Sequence, residues 1–296
     1  MQDSIQIQSH TSIQSKIKDI AELTKLRLSL LVVFSAAVTY LFASVGSIDW
    51  LGFILLILGG FLVTGSANGM NQILEKDLDQ MMDRTKDRPV AASRMSVTEA
   101  WVICILFGVV GIFILQYFLN YQSALLGLSA IILYVLAYTP MKRQTPFAVF
   151  VGAIPGSIPA MLGYVAATGQ VDMMAWLFFL IQFFWQFPHF WAIAWRLDDD
   201  YKKAGFNLLP SGGRNKAAAF QTIVYTSGLL AVSLLPFFFK FTGNISAIIV
   251  AVSGIWFLYY AVQLYNKCSM EAASRLMFGS FIYLPVVFIA LLLDKI

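Results

Sequence analysis

Nine long apolar runs alternate with short polar segments along the chain, at roughly 28–46, 50–72, 98–119, 122–140, 146–168, 173–195, 217–239, 245–265 and 276–293. Each is long enough to cross about 30 Å of hydrocarbon as a helix. The run at 122–140 is the shortest-spaced, following its neighbour closely. The period-2 alternation of a membrane barrel is absent. Backbone groups in lipid must pair within their own segment, so runs this apolar are predicted to be helices. The expected fold class is an all-α, polytopic membrane protein with nine transmembrane helices. Residues 1–22 read as a polar N-terminal tail without the apolar core of a signal peptide. Residues 23–296 read as one transmembrane domain.

Composition agrees with this pattern. Hydrophobic residues make up 59% of the chain and charged residues 12%, against typical values of about 45–50% and 25% in soluble proteins. No stretch is polar enough for a separate soluble domain. Charge adds an orientation: 18 of the 20 basic residues fall on one side of the nine-span arrangement, and only Lys240 and Lys295 on the other. The positive-inside rule then puts the N-terminus in the cytoplasm and the C-terminus outside, as expected for a multi-pass protein of a cell inner membrane. The basic residues cluster at membrane edges, so a lipid bilayer and no nucleic acid is the expected partner. Cys104 in an apolar run and Cys268 in a polar loop do not suggest a disulfide or a metal-binding cysteine pattern.

The polar stretch Asn71–Pro89, NQILEKDLDQMMDRTKDRP, carries the candidate chemistry. Asn71, Glu75 and Asp79 lie at i, i+4 and i+8, hence on one helix face within about 80° of each other. Asp83 and Asp87 extend the row, with Arg84 and Arg88 beside it. A solvated acidic helix face is the plain reading. The row starts inside an apolar run, however, where an unpaired carboxylate costs several kcal/mol. A divalent cation would offset that cost, and Mg²⁺ is commonly held by one or two carboxylates plus substrate phosphates. After the sixth run come Arg196, Asp198, Asp199, Asp200, Lys202 and Lys203, readable as a solvated loop or as a second acidic cluster. The two clusters follow runs two and six, which hints at an internal duplication with a site between the halves. Lys142 and Arg143 after the fourth run are either ordinary membrane-edge anchors or diphosphate contacts. Carboxylates, bound metal and fixed cations together suit a leaving diphosphate. No GxxxxGK phosphate loop occurs.

Taken together, these residues resemble the UbiA superfamily of intramembrane prenyltransferases, whose first motif is NxxxDxxxD. Within it they resemble the protohaem IX farnesyltransferases (haem O synthases), which tend to read N-x-x-x-D-R-D-I-D-x-x-M-x-R-T-x-x-R-P. The matching residues are Asn71, Glu75, Asp77, Asp79, Met82, Arg84, Thr85, Arg88 and Pro89. Leu23-Thr24-Lys25, Lys142-Arg143 with Thr145-Pro146, Trp185-Gln186, Pro188-His189-Phe190, Asp200-Tyr201 and Leu209-Pro210 match further. The resemblance covers about residues 20–290. It implies nine helices around a central cavity and Mg²⁺-dependent ionisation of farnesyl diphosphate. It also implies transfer of the farnesyl group to a vinyl group of protohaem IX, giving haem O. Asn71, Glu75, Asp79 and Asp200 would be catalytic, and with Asp199 would hold the metal. Lys142, Arg143, Arg84, Arg88, Lys202, Lys203 and His189 would bind substrate. Haem A synthase or terminal oxidase assembly would be the downstream partner. Three positions depart from the pattern: Glu75 replaces the usual Asp, Arg196 stands where the superfamily often has the first acid of a second DxxxD, and Ala148 stands in place of an Asn.

His189 is the only histidine within a run and follows Pro188. It reads equally as a haem-iron ligand, a propionate contact, or a structural partner for a carbonyl freed by the proline. Two other functions fit parts of the pattern: prenyl transfer to an aromatic quinone precursor, and a secondary transporter. A transporter site is expected near the midplane with broken helices, whereas these acids cluster at one membrane face beside cations.

Overall fold

The computed structural model describes residues 13–296. Helices form as the apolar runs dictate: α1 Ile13–Leu23, α2 Leu26–Ala43, α3 Trp50–Leu74, the single turn α4 Lys76–Asp79, α5 Val97–Ile114, α6 Tyr121–Ile132, the turn α7 Thr139–Met141, α8 Ala148–Thr168, α9 Met173–Lys203, α10 Lys216–Phe238, α11 Asn244–Lys267 and α12 Met270–Leu293. α5 and α6 each widen into a π-helical segment, Leu115–Leu119 and Leu133–Tyr138. Among the described residues, nine helices or continuous helical stretches are long and apolar enough to cross a membrane, so the chain is a multi-pass membrane protein. Six of them begin at a side-chain cap: Asp49, Ser96, Asn120, Asp172, Asn215 and Ser269 each accept from a backbone N–H of the first turn. Such a cap satisfies an N–H that lipid could not.

Two boundaries differ from the hydropathy pattern for physical reasons. α9 runs eight residues past its apolar stretch, to Lys203. It is carried there by the i, i+4 pair Asp198–Lys202 at 2.6 Å, which supports a helix too polar to register as a span. The reading of 1–22 as a tail meets a helix from Ile13 on, and residues 1–12 lie outside the described residues. α1 is pinned by Lys16 to Glu99 (2.7 Å) and by Arg94 to Asp19 (2.9 Å) and Glu22 (2.5 Å).

α2 packs between α3, α8 and α12, while α9 packs between α8, α10 and α12. Lipid offers no hydrophobic drive for helices to associate, so small residues and buried polar contacts hold them. At the α2–α8 crossing Gly163 lies so close that a Cβ there would sit 2.0 Å from the Ala36 carbonyl oxygen. Gln182 and Gln186 of α9 donate to the Gly156 and Ala153 carbonyls of α8, at 2.8 and 2.9 Å. Trp185 Nε1 donates to Ser280 O of α12 at 2.8 Å. At the end of the bundle away from the acidic clusters, Lys295 Nζ donates to Phe42 O and Ser44 O at the end of α2.

Replacing Gly163 by Ala is therefore expected to lower stability by about 1–3 kcal/mol through overpacking, read as thermal unfolding in detergent. Gly213→Ala, where a Cβ meets nothing within 4 Å, serves as the neutral control. Equal melting of the two variants would refute the close α2–α8 crossing.

Candidate active site

The Asn71, Glu75 and Asp79 row forms as its spacing predicts. α3 ends at Leu74, but Glu75 N donates to Asn71 O at 3.0 Å and Asp79 N to Glu75 O at 2.8 Å, so the helical register continues through the junction. All three side chains are buried, with exposures of 2%, 4% and 1%. Neither carboxylate is left unpaired. Lys142 Nζ stands 2.5 and 2.7 Å from the two oxygens of Glu75. Arg88 Nη1 donates to both oxygens of Asp79, at 2.8 and 2.7 Å. Asn71 Nδ2 donates to Thr139 Oγ1 at 3.0 Å. The expected extension of the row through Asp83 and Asp87 does not occur. The chain turns after Asp79, leaving both exposed, and folds back so that Arg88 can reach Asp79. Thr85 Oγ1 fixes this turn by donating to Asp79 O at 3.0 Å.

The second cluster meets the loop that follows the first. Asp200 accepts from the backbone N–H of Asp83 at 2.9 Å and of Arg84 at 3.3 Å, and from Lys203 Nζ at 3.2 Å. Lys203 also reaches Asp83 at 2.5 Å. Asp199 pairs with Arg214 at 3.0 Å and Lys202 with Asp198 at 2.6 Å. None of Asp199, Asp200, Lys202 and Lys203 lines the central cavity, and neither does the exposed Arg143. Of the Lys142–Arg143 pair only Lys142 turns inward, because the two lie about 100° apart around a helical turn.

The cavity has a volume of about 710 Å³, and its charged lining residues gather together at one end. Asn71, Glu75, Asp79, Arg84, Arg88 and Lys142 line that end, joined by Lys25. Lys25 was legible in the sequence only as part of a family motif, not as a site residue. It takes a left-handed conformation (φ 48°) between α1 and α2. Burial in the cavity wall, with Arg88 and Lys142 nearby, pushes its ammonium down to about 7. Burial likewise lowers Lys142, against the opposing pull of Glu75. Tyr134 and Tyr138, which the sequence pattern did not mark, also face the cavity from the π-helical segment. Among the described residues no three His, Cys, Asp or Glu side chains stand together as a metal cage.

The other end is apolar, with Val63, Ile158 and Leu162 on one side and Trp185, Phe281 and Leu284 on another. His189 also lines the cavity, and α9 is continuous through Pro188 to Lys203, so the eleven residues between His189 and Asp200 span about 16 Å of unbroken helix. Ser280 Oγ donates to Met277 O at 2.5 Å, which uses its only proton. With that proton so placed, we assign His189 Nδ1, 2.7 Å from Ser280 Oγ, as the donor of that contact. The ring is held by stacking on Trp185, centroids 4.5 Å apart. Its other nitrogen, Nε2, is left as an acceptor on a residue that lines the cavity.

Comparison with known proteins places this arrangement. Residues 31–285 match the model of the UbiA prenyltransferase family. The chain is 47% identical to a protoheme IX farnesyltransferase of Christiangramia forsetii, over 97% of this chain and 96% of that one. It is 45% identical to one of Cytophaga hutchinsonii, over 93% and 96%. Among solved structures, a digeranylgeranylglyceryl phosphate synthase superposes with a TM-score of 0.79 at 20% identity, over 94% of this chain and 98% of that one. A UbiA homologue of Archaeoglobus fulgidus bound to GPP and Mg²⁺ superposes with a TM-score of 0.72 at 15% identity, over 92% and 99%. These structures share the fold.

Two outcomes follow from the ion pairs. Glu75→Gln and Lys142→Gln should each cost about 2–4 kcal/mol, because each strands the other's buried charge, and the double variant should cost clearly less than their sum. Additive losses in unfolding experiments would mean the pair is not coupled. Lys25 gives a pH signature. A lysine with its pKa lowered to about 7 is charged below that pH and neutral above it, so it attracts an anion only while protonated. The affinity for inorganic pyrophosphate should therefore fall more steeply above pH 7 in the native protein than in Lys25→Met. Parallel pH profiles would remove Lys25 from the anion site.

Proposed function

This chain belongs to the UbiA prenyltransferase family, and from that membership and the cavity's geometry we propose that it transfers the farnesyl group of farnesyl diphosphate to a vinyl group of protohaem IX. The products are haem O and diphosphate. The observation that carries this reading is the division of one cavity into a charged end built on Asn71, Glu75, Asp79, Arg88 and Lys142 and an apolar end holding a fixed histidine. A quinone precursor would not call for His189, and ion coupling would not call for cations already seated on the acids. The near-full-length identity to protoheme IX farnesyltransferases supports the same acceptor.

The donor set suits Mg²⁺. Asn71, Glu75 and Asp79 offer hard oxygens from one helix face, and too few protein groups gather there for a complete cage. An ion with the habit of Mg²⁺, which keeps water and substrate phosphates among its ligands, fits that deficit. When bound, it would neutralise charge building on the leaving diphosphate. The chain's own residues do the rest. Lys142 and Arg88 can exchange carboxylate oxygens for phosphate oxygens without crossing apolar space, since both already line the cavity. Arg88 is suited to bidentate contact and Lys142 to a point contact. Lys25 and Arg84 add positive charge at the same end. The farnesyl chain lies along Val63, Ile158 and Leu162, and the porphyrin lies against Trp185 and Phe281. In place of direct metal binding, Asp200 acts by holding the 83–84 backbone, and so the approach of Arg84 and Arg88. Arg143, Lys202, Lys203 and Asp199 serve the charged rim of the membrane, which we assign to the cytoplasmic face of the inner membrane from the distribution of basic residues.

We read the role of His189 from its tautomer. With Nδ1–H committed to Ser280, Nε2 presents a lone pair rather than a proton. A lone pair suits haem iron, whereas a propionate would need a donor.

Product analysis of purified protein with farnesyl diphosphate, protohaem IX and Mg²⁺ is the direct test, and absence of haem O would refute the function. His189→Ala should raise the dissociation constant for protohaem about tenfold or more, as loss of an iron ligand implies, and leave farnesyl diphosphate binding nearly intact. Lys142→Ala should do the reverse. Equal losses of both substrates in His189→Ala would make the residue structural.

A further inference from the structure

Two glutamines of α9, Gln182 and Gln186, line the cavity beside His189, and the diphosphate chemistry gives neither a role. They precede His189 by two turns and by one, on the same helical face. Gln186 is held by its nitrogen. Nε2 donates to Ala153 O at 2.9 Å, to Ser157 Oγ at 2.8 Å and to Gln182 O at 3.4 Å. Two of these partners are carbonyls, and Ser157 donates its own proton to Ala153 O at 2.6 Å, so only an N–H fits there. The amide oxygen therefore points the other way. Oε1 stands over Gly156, itself in the cavity wall, so close that a Cβ there would lie 2.0 Å from it. Among the described residues nothing donates to this oxygen, although Gln186 is only 3% exposed. Gln182 repeats the arrangement one turn away: Nε2 donates to Gly156 O at 2.8 Å, and its buried Oε1 has no donor. An acceptor taken out of water without a donor is destabilising, and here two are fixed one turn apart by their own nitrogens.

We propose that Gln186 positions the water molecule that captures the cation left on the acceptor after prenyl transfer. The assignment rests on the prenyl-transfer reading above and deepens it. When the vinyl π electrons form the new C–C bond, the vinyl carbon attached to the porphyrin is left with the positive charge. Two fates are open to it. Loss of a proton from the neighbouring carbon gives an alkene, whereas capture of water gives the alcohol of haem O. In the second, a lone pair of the water forms the C–O bond, and the oxonium so formed sheds a proton to the diphosphate released earlier. Gln186 Oε1 accepts a hydrogen bond from that water, which turns a lone pair of the water away from the amide and toward the cation. A neutral amide oxygen suits the task. A carboxylate would itself take the proton from the neighbouring carbon, and an apolar wall would hold no water. The placement agrees. With the iron at His189, a residue three positions along α9 stands about 4.5 Å away along the helix axis, beneath the macrocycle whose rim carries the vinyl groups.

The test reads the kind of product rather than its rate. Purified protein is given farnesyl diphosphate, protohaem IX and Mg²⁺, and the ratio of farnesylated alcohol to farnesylated alkene is measured by mass spectrometry. Gln186→Met keeps the length of the side chain and removes its oxygen, and should lower that ratio about tenfold, the scale of one lost hydrogen bond. Gly156→Ala leaves the amide in place but pushes Oε1 aside, and should lower the ratio in the same direction. An unchanged ratio in Gln186→Met overturns the assignment, because a merely structural glutamine would lower total product without altering its kind. A native protein that makes no farnesylated porphyrin defeats the prenyl-transfer reading and this one with it. A second measurement needs no turnover: a haem carrying hydroxyethyl in place of vinyl groups is titrated beside protohaem IX. The native protein should prefer the hydroxyethyl haem, whose hydroxyl can donate to Oε1. Gln186→Met should bind that haem about fivefold more weakly and protohaem as before. No preference in the native protein, or equal loss of both haems in the variant, overturns the assignment as well.

Discussion

A carboxylate cannot stand alone in an apolar bundle, and the fold answers that constraint twice within one turn of helix. Glu75 and Asp79 are almost fully buried, and each takes its counter-ion from a different part of the chain: Lys142 from the turn after α7, Arg88 from the loop after α4. Idealised desolvation of an ion costs of order 20 kcal/mol, and relaxation still leaves several kcal/mol per ion. Neither charge is therefore tolerable until both segments are in place. This explains why the 80–95 loop is not a free connection. It is folded back by Thr85 and Gln80, and its backbone at 83–84 is capped by Asp200 from the end of α9. The two acidic clusters meet at this loop: the first lines the cavity, and Asp200 of the second caps the backbone that folds back over it.

Much of this was legible in the sequence because it obeys local periodicity. The nine spans follow from hydropathy, and Asn71, Glu75 and Asp79 fall on one face because four-residue spacing leaves no other choice. The misreadings share a cause. Asp83 and Asp87 continue the spacing of the row, but the helix beneath them ends, and a side chain's periodicity means nothing beyond its helix. Arg143 and Lys142 are chemically alike in sequence, and only the direction of one helical turn decides which enters the cavity. Asp200 looks like a ligand by composition but spends its oxygens on backbone N–H groups of another loop, a contact across more than a hundred residues. Tyr134 and Tyr138 were missed because a π-helical segment changes the angular step per residue, and no propensity marks where such a segment will form. Lys25 gave a faint signal through its motif. Its importance comes from a left-handed corner that aims it inward.

His189 illustrates the opposite case, where the sequence singled out a residue that the structure places in the cavity wall but left its chemistry open. A histidine after a proline has a ready structural explanation in the carbonyl that the proline frees. The decisive group is Ser280, ninety-one residues away. With its proton on the Met277 carbonyl of its own helix, Ser280 favours the tautomer in which the imidazole donates Nδ1–H and keeps the Nε2 lone pair bare. The orientation of the ring thus depends on α12, and on the stacking of Trp185, itself anchored on Ser280 O. One serine orients both aromatic groups on this side of the cavity.

The paired state of the carboxylates also has a consequence for the order in which ligands can bind. A divalent cation arriving alone would have to displace Lys142 and Arg88 from oxygens they hold at 2.5–2.8 Å, leaving two cations without partners in a poorly solvated space. A diphosphate arriving alone would be drawn to those cations and would strip the carboxylates of theirs. Each ligand by itself creates the unpaired charge that the fold is built to avoid. Bound together they would cancel it, because phosphate oxygens could take the lysine and arginine while a divalent cation took the carboxylates. The binding of one is then linked to the binding of the other by the cost of the stranded charges, and by reciprocity each strengthens the other equally. The ion pairs thus do more than tolerate burial. They leave no carboxylate at the charged end of the cavity without a cation beside it.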